Sequence, residues 1–168
     1  AIYNKTGRGN GCDAIAKIEN ITGDFLYNSG YGYGGAIYNV GYNDYAYIGN
    51  ITGDFIGNYC IDRAAWGGAI YNHLGYIKSI TGNFVQNYSG QDGGAISMGL
   101  GIIGMITGDF IGNYSHLYGG AISNQGIINI KGDFIGNYCD VSVNDSGYYI
   151  YTGGAIDNSG SKAVITLI

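Results

Sequence analysis

The chain has 168 residues, of which 11% are charged, and its formal net charge is −5. Its seven Lys and Arg side chains are spread over the whole length and form no basic patch, which excludes nucleic acid as a partner. No apolar run approaches the length of about 18 residues that a membrane-spanning helix needs, so we predict that the chain does not span a membrane.

The tetrad Gly-Gly-Ala-Ile occurs five times, and a shortened copy, Ala1-Ile2-Tyr3-Asn4, opens the chain. Successive tetrad alanines are 35, 33, 26, 26 and 34 residues apart, so the bare unit has 26 residues and the longer intervals carry insertions. Strict repetition at such a period indicates a repeat architecture. We predict one domain, with repeat units near 1–33, 34–66, 67–92, 93–118, 119–152 and, in part, 153–168.

Each unit contains three short apolar pieces in the same order. The first follows the tetrad glycines, as in Ala-Ile-Tyr-Asn, and the third reads Phe-x-x-Asn. The second is a pair of isoleucines three residues apart: Ile18 and Ile21, Ile48 and Ile51, Ile77 and Ile80, Ile103 and Ile106, Ile127 and Ile130, and Ile165 and Ile168. Runs this short, bounded by turn residues, are typical of strands. Helices fit poorly, because each interior glycine costs a helix about 1 kcal/mol.

Three strands in a unit of this length predict one coil of a parallel β-solenoid. Coils stack at the ordinary strand separation of about 4.8 Å, so identical residues form columns along the axis. The 33 glycines and the absence of proline suit this arrangement, because proline removes a donor from a strand ladder. We therefore predict an all-β parallel β-helix of five to six coils with three short strands each.

Two kinds of column are predicted to hold the stack together. Asparagine side chains can bond to one another and to turn backbone, and such ladders stabilise stacked strands. The asparagine columns comprise Asn28, Asn58, Asn87, Asn113 and Asn137, and Asn4, Asn39, Asn72, Asn124 and Asn158, with Met98 interrupting the second. The core column of phenylalanines comprises Phe25, Phe55, Phe84, Phe110 and Phe134.

The paired motifs Gly-Gly-Ala-Ile and Phe-x-x-Asn resemble the repeats of chlamydial polymorphic outer-membrane proteins and related autotransporter passengers. The resemblance covers nearly the whole chain, with ten motif copies in alternating order. It implies a right-handed parallel β-helix at the bacterial surface that acts in adhesion. An autotransporter β-barrel, a passenger cap and a signal peptide are not seen in the sequence. The motifs specify the coil, so the resemblance supports the fold more strongly than the adhesive role.

The function predicted is a non-enzymatic structural or adhesive solenoid, extracellular or on a bacterial cell surface, with no cofactor. Neither end shows a cap, and repeat arrays normally need caps. This favours head-to-tail stacking of copies into a fibre, or a place within a longer surface passenger. A host or matrix glycan or protein is a further candidate partner. The alternative is a carbohydrate-binding or polysaccharide-degrading β-helix protein, since fold alone does not set function.

The insertions are the places where variable function is expected, because loops can grow without disturbing the stack. They are rich in aromatic residues that could stack on sugars or on a protein partner, although such residues also cover exposed coil edges. The candidate contact residues are Tyr42, Tyr45, Tyr47, Trp66, Tyr148 and Tyr149.

The chain has three cysteines. Cys60 and Cys139 occupy the same motif position three coils apart, about 14 Å along the axis, which is too far for a disulfide. In a head-to-tail stack, Cys12 of one copy could pair with Cys139 of the next.

Acidic and histidine residues give little sign of catalysis or metal binding. A column of Asp24, Asp54, Asp109 and Asp133, with Asn83 in the middle, needs either turn amides or a cation such as calcium to offset its charge. The two histidines, His73 and His116, are isolated in the sequence. We predict no catalytic and no metal site.

Overall fold

The computed structural model describes residues 1–6, 16–42, 46–62, 64–140 and 153–168, together with the backbone of 142–143 and 149–150. Apart from one antiparallel pair, the strands of these residues are parallel and stacked in register, and there is no helix among the described residues. Each coil of the chain adds one strand to each of several sheets that run along the stack. The predicted all-β parallel solenoid is confirmed, with about six coils.

Two sheets contain six strands. The first, named here the tetrad sheet, follows the Gly-Gly-Ala-Ile motif and comprises Ile2–Lys5, Ile37–Val40, Ile70–His73, Ile96–Gly99, Ile122–Asn124 and Ile156–Asn158. The second, the isoleucine sheet, comprises Lys17–Thr22, Tyr47–Thr52, Tyr76–Thr81, Ile102–Thr107, Ile127–Lys131 and Val164–Leu167.

Two further sheets contain five strands of two residues each. The phenylalanine sheet comprises Phe25–Leu26, Phe55–Ile56, Phe84–Val85, Phe110–Ile111 and Phe134–Ile135. The tyrosine sheet comprises Ser29–Gly30, Tyr59–Cys60, Tyr88–Ser89, Tyr114–Ser115 and Tyr138–Cys139. A separate antiparallel pair, Ser142–Val143 with Tyr149–Ile150, lies within the insertion that follows.

The prediction of three strands per coil is wrong in one respect: a full coil has four. The Phe-x-x-Asn piece ends in a corner, and the tyrosine directly after it begins a fourth short strand in a different sheet. At this corner Gly57 has a φ of +61°, in the left-handed region that glycine adopts without steric cost.

The two glycines of each tetrad have different tasks. Gly67 turns the chain with a φ of +69°. Gly68 allows the next coil to approach, because a Cβ atom placed there would lie 2.1 Å from the backbone oxygen of Gly94. At the tetrad corner, the first glycine is therefore needed for its backbone conformation and the second for the close contact with the next coil.

The core lies inside the coils and consists of stacked side chains from the tetrad, isoleucine and phenylalanine sheets. The isoleucine spacing changes in the later coils, where a register irregularity pairs Ile103 with Ile128 and Ile106 with Ile130. The predicted column members Ile127 and Ile168 are 41% and 70% exposed instead. The core pair in those coils is thus two residues apart rather than three.

Candidate functional site

The first asparagine column runs inside the corner between the phenylalanine and tyrosine sheets. Each side-chain amide from Asn28 to Asn113 donates a hydrogen bond of 2.8–3.0 Å to the side-chain oxygen in the next coil. That oxygen also accepts the backbone N–H of the donating residue. From Asn58 onwards the amide makes a further bond to a phenylalanine carbonyl one coil back. Repetition therefore pairs the buried amides of the interior coils with protein groups.

The second asparagine column lies inside the tetrad sheet and is interrupted once. Asn4 donates to Asn39, and Asn39 to Asn72, each at 2.8 Å. The next rung is Met98, whose sulfur lies 3.6 Å from the Asn72 amide. The column resumes with Asn124, which donates to Asn158 at 2.8 Å.

The phenylalanine column is a stack of parallel rings. Successive centroids are 4.5, 4.7, 4.7 and 4.8 Å apart and the ring planes lie within 4° of parallel. Phe55, Phe84 and Phe110 are fully buried. The column is the apolar counterpart of the asparagine ladder beside it.

The acidic column caps turns. A side-chain oxygen of Asp24 accepts the backbone N–H of Asp54 at 2.9 Å, and the same bond recurs to Asn83, Asp109 and Asp133 in the following coils. Among the described residues, no group of three or more His, Cys, Asp or Glu side chains could hold a metal ion.

The outer face of the tetrad sheet carries a second set of stacked rings. Tyr3, Tyr38 and Tyr71 occupy one column, with centroids 5.0 and 5.6 Å apart. Tyr33 and Trp66 occupy the neighbouring column, 5.2 Å apart. The aromatic face thus runs through the first three coils.

This aromatic face stops abruptly at the fourth coil. Ser97 follows Tyr71 in its column, Asp92 follows Trp66, and Gly99 follows His73. Because each replacement is smaller than a ring, a cavity of about 240 Å³ opens below the last rings. Its lining consists of Trp66, Tyr71, His73, Gln91, Asp92, Ser97, Met98, Gly99, Ser123 and Gln125.

Two polar atoms of the cavity lining are buried without a hydrogen-bond partner. They are Nδ1 of His73 and Oδ1 of Asp92. Buried polar groups are nearly always paired, so two unpaired atoms at one place mark it as unusual. Burial raises the pKa of Asp92 to about 6, and a hydrogen bond with Trp66 offsets part of that rise. Burial also lowers the pKa of His73.

The predicted contact residues are dispersed by the fold. Trp66 reaches the cavity. Tyr47 is not in a loop but begins a strand, where it stacks on Tyr76 at 5.6 Å beneath the Lys17 ammonium. The ring of Tyr42 lies below the ammonium of Lys5 at 5.3 Å. Tyr45, Tyr148 and the side chain of Tyr149 lie outside the described residues.

Cys60 and Cys139, the two cysteines that the structure describes, share a column and are not bonded to each other. Cys60 is buried in the tyrosine sheet and not in a disulfide, and burial raises the pKa of its thiol to about 12. Cys139 is half-buried in register with Ser115. Cys12 lies outside the described residues, so its predicted bond to Cys139 of another copy stays a prediction.

His116 is not isolated, although it has no acidic neighbour in the sequence. The next coil brings Asp140 to 2.9 Å from its Nδ1, and the Tyr114 hydroxyl donates to the same carboxylate. Hydrogen bonds from Tyr114 and then His116 lower the pKa of Asp140. The pair is about half exposed, and ion pairs in that setting contribute little to stability.

Sequence reasoning did not identify Asp92, Ser97 and His73 as members of one site. The signal was present as a change from tyrosine to serine at the position after Ala-Ile. Its meaning depends on which residues stack and on which columns are neighbours, and both follow from the strand register.

No family model, curated protein or solved structure matches the chain. Among the described residues there is no helix that could cross a lipid bilayer. Function is therefore inferred from the residues and their geometry.

Proposed function

We propose that the chain is a non-enzymatic structural and adhesive solenoid of a bacterial cell surface, which extends by stacking head to tail with further copies or with coils of a longer passenger. One observation carries the proposal: the side-chain columns that are buried in the interior coils are exposed at both ends of the stack. The likeness of the paired motifs to those of surface passengers supports the location.

The apolar columns lose their cover at the outermost coils. Ile48 and Ile51 are at most 1% exposed, whereas the equivalent Ile18 and Ile21 in the first coil are only partly buried. At the other end of the isoleucine sheet, Leu167 is 61% exposed. Exposed strand edges with apolar side chains are templates for pairing with another strand.

The polar columns give the stack a direction. In both asparagine columns the amide nitrogen of one coil donates to the side-chain oxygen of the coil that follows. One end of each column therefore carries an acceptor oxygen and the other end a donor amide. Of the two acceptors, Asn28 Oδ1 is also reached by the Ala1 ammonium, at 3.4 Å. Such ends are complementary head to tail and not head to head, and repeated heterologous contacts of this kind build a fibre.

The test is negative-stain electron microscopy of the full chain, with sedimentation velocity, over a concentration series and with and without reductant. We expect fibres with an axial repeat of about 25–30 Å, from six coils at about 4.8 Å each. A single monomeric species at every concentration would overturn stacking between copies and favour a longer passenger.

A matched pair of variants distinguishes end-to-end stacking from non-specific hydrophobic association. Leu167→Lys places a charge at the open edge, and we expect it to abolish the fibres. Ile61→Lys changes a residue with the same exposure, 61%, away from the edge, and we expect the fibres to persist.

A further inference from the structure

The cavity exists because two columns of stacked rings end in the same coil. Tyr71 and Trp66 each have a ring one coil before them, in Tyr38 and Tyr33, and no ring one coil after them. Along the phenylalanine column, in contrast, each ring from Phe25 to Phe110 is followed by another ring at 4.5–4.8 Å. The cavity therefore lies where the next ring of each column, after Tyr71 and after Trp66, would otherwise be.

We infer that this cavity binds one ring of a neutral sugar, which takes the place of the missing rung. The ring would pack its C–H face against Trp66 and Tyr71, and its hydroxyl groups would pair with Asp92 and His73. The inference goes beyond the proposed structural function and does not depend on it.

The shape of the aromatic wall favours a flat ligand. Trp66, Tyr71 and His73 belong to one coil, with neighbouring centroids 6.0 and 5.9 Å apart and planes within 25° and 8° of parallel. Near-parallel rings in one coil present a nearly flat wall. A quaternary ammonium group is instead recognised through the faces of several rings that surround it.

The polar groups of the cavity favour a ligand with several hydroxyl groups. Oδ1 of Asp92 needs a donor, and Nδ1 of His73 needs a donor or an acceptor according to its tautomer. Ser97, Ser123 and Gln91 add groups that both donate and accept. Sugar hydroxyl groups can form hydrogen bonds with all of these polar groups, because each hydroxyl both donates and accepts.

The size and charge of the cavity limit the ligand further. A volume of about 240 Å³ is below the roughly 300–1,000 Å³ of sites for drug-sized ligands, so it suits one ring. None of the lining residues that the structure describes is a lysine or arginine, and the carboxylate of Asp92 disfavours an anion. A neutral monosaccharide unit, free or at the end of a glycan, meets these conditions.

Trp66 is the single tryptophan of the chain, so its fluorescence reports on the cavity alone. The full chain is titrated with D-glucose, D-galactose, D-mannose and N-acetyl-D-glucosamine, and saturation-transfer NMR identifies the sugar protons in contact. We expect at least one sugar to give a saturable change in the millimolar range, since one ring offers few atoms for contact. Adenosine serves as a flat aromatic competitor. Saturation by adenosine alone, or by none of these probes, overturns the inference.

Three variants locate the site by the same NMR measurement. Ser97→Tyr supplies the missing ring, and we expect it to abolish binding while the far-ultraviolet circular dichroism is unchanged. Asp92→Asn keeps the shape and removes the charge, and we expect affinity to fall about tenfold, as for loss of a hydrogen bond to a charged group. Tyr138→Ser removes a 53% exposed ring of another stack, and binding should be unchanged. Wild-type affinity in both cavity variants, or loss of binding in Tyr138→Ser, would overturn the assignment.

Discussion

The phenylalanine column and the outer face of the tetrad sheet are built from the same arrangement of parallel, in-register strands. In the first, one residue type recurs in five successive coils, and the rings stay 4.5–4.8 Å apart along the whole column. In the second, tyrosine gives way to serine after three coils, and a cavity opens. The difference shows that a column of identical residues leaves no gap between coils. Where a smaller residue interrupts the column, a cavity remains that is large enough for another molecule.

The polar atoms follow the same division. Beside the phenylalanine column, interior side-chain amides find partners in the coils above and below. Beside the interrupted face, His73 and Asp92 each keep a buried atom without a partner. Leaving such a group unpaired costs about 1–3 kcal/mol, so the interrupted face is also the less stable one.

The largest effect is expected from breaking the regular column at its centre. Phe84→Ala leaves a hole between two rings, and we expect the free energy of unfolding to fall by about 3–5 kcal/mol in urea denaturation. Phe134→Ala is the matched control, because Phe134 is only partly buried at the end of the stack, and it should cost clearly less. Equal losses in the two variants would show that burial along the column does not set its contribution.

A smaller loss is expected from breaking the polar ladder. Asn87→Ala removes a side chain that accepts from Asn58 and donates to Asn113 and to the Phe55 carbonyl, and it leaves buried groups unpaired. We expect a loss of about 2–4 kcal/mol, again from urea denaturation. Asn20→Ala breaks an exposed asparagine pair, in which Asn20 accepts from Asn50 at a similar length, 3.0 Å, and it should cost no more than about 0.5 kcal/mol. A loss that small in Asn87→Ala would contradict a structural role for the ladder.

On the interrupted face, the Asp92 carboxyl should make stability depend on pH. Its folded-state pKa of about 6 exceeds the ordinary value of 3.8, because of burial and, to a smaller degree, the charge of Asp157. The folded state thus holds a proton that the unfolded state releases, so this group lowers stability as pH rises from about 4 to 6. Removing the charge with Asp92→Asn should stabilise the protein by about 1–2 kcal/mol at pH 7.5, allowing for partial exposure.

The pH profile provides the check on that variant. The difference in melting temperature between Asp92→Asn and the parent should be full above about pH 6 and vanish below about pH 3.8. Comparing the two proteins at each pH cancels the contributions of groups that the substitution leaves unchanged. A difference that is constant with pH would assign the effect to packing instead of to charge.

The smallest effect is expected from repairing the interruption. Ser97→Tyr extends the tyrosine column by one ring beneath Tyr71, and we expect a gain of about 0.5–1 kcal/mol, seen as a higher melting temperature. Ser123→Tyr is the control, because its neighbours within the column are Ser97 and Asp157, so no ring of that column lies above or below it. A gain from the control and none from Ser97→Tyr would show that stacking is not what the interrupted face lacks.

Much of the regular part could be predicted residue by residue. Identical residues at equal intervals must lie in columns once the strands stack in parallel, so the partners of Asn87 and Phe84 followed from spacing. The prediction was wrong where spacing was ambiguous. Ile127 fits a pair with Ile130 by sequence, yet the register shift places Ile128 in the core. The fourth strand, which begins at the tyrosine after Phe-x-x-Asn, was also missed, because a two-residue strand has too few residues to show a period.

By itself, the sequence determined the coil, its ladders and its glycine corners. Each of these features recurs along the chain, and all copies of a feature indicate the same geometry. Only the tertiary structure decided that Trp66, Tyr71, His73 and Asp92 border one cavity, and that His116 meets Asp140. These contacts join residues in neighbouring coils whose identities do not repeat. Their proximity is set by the register of one coil on the next, which brings together side chains about one repeat apart in the chain.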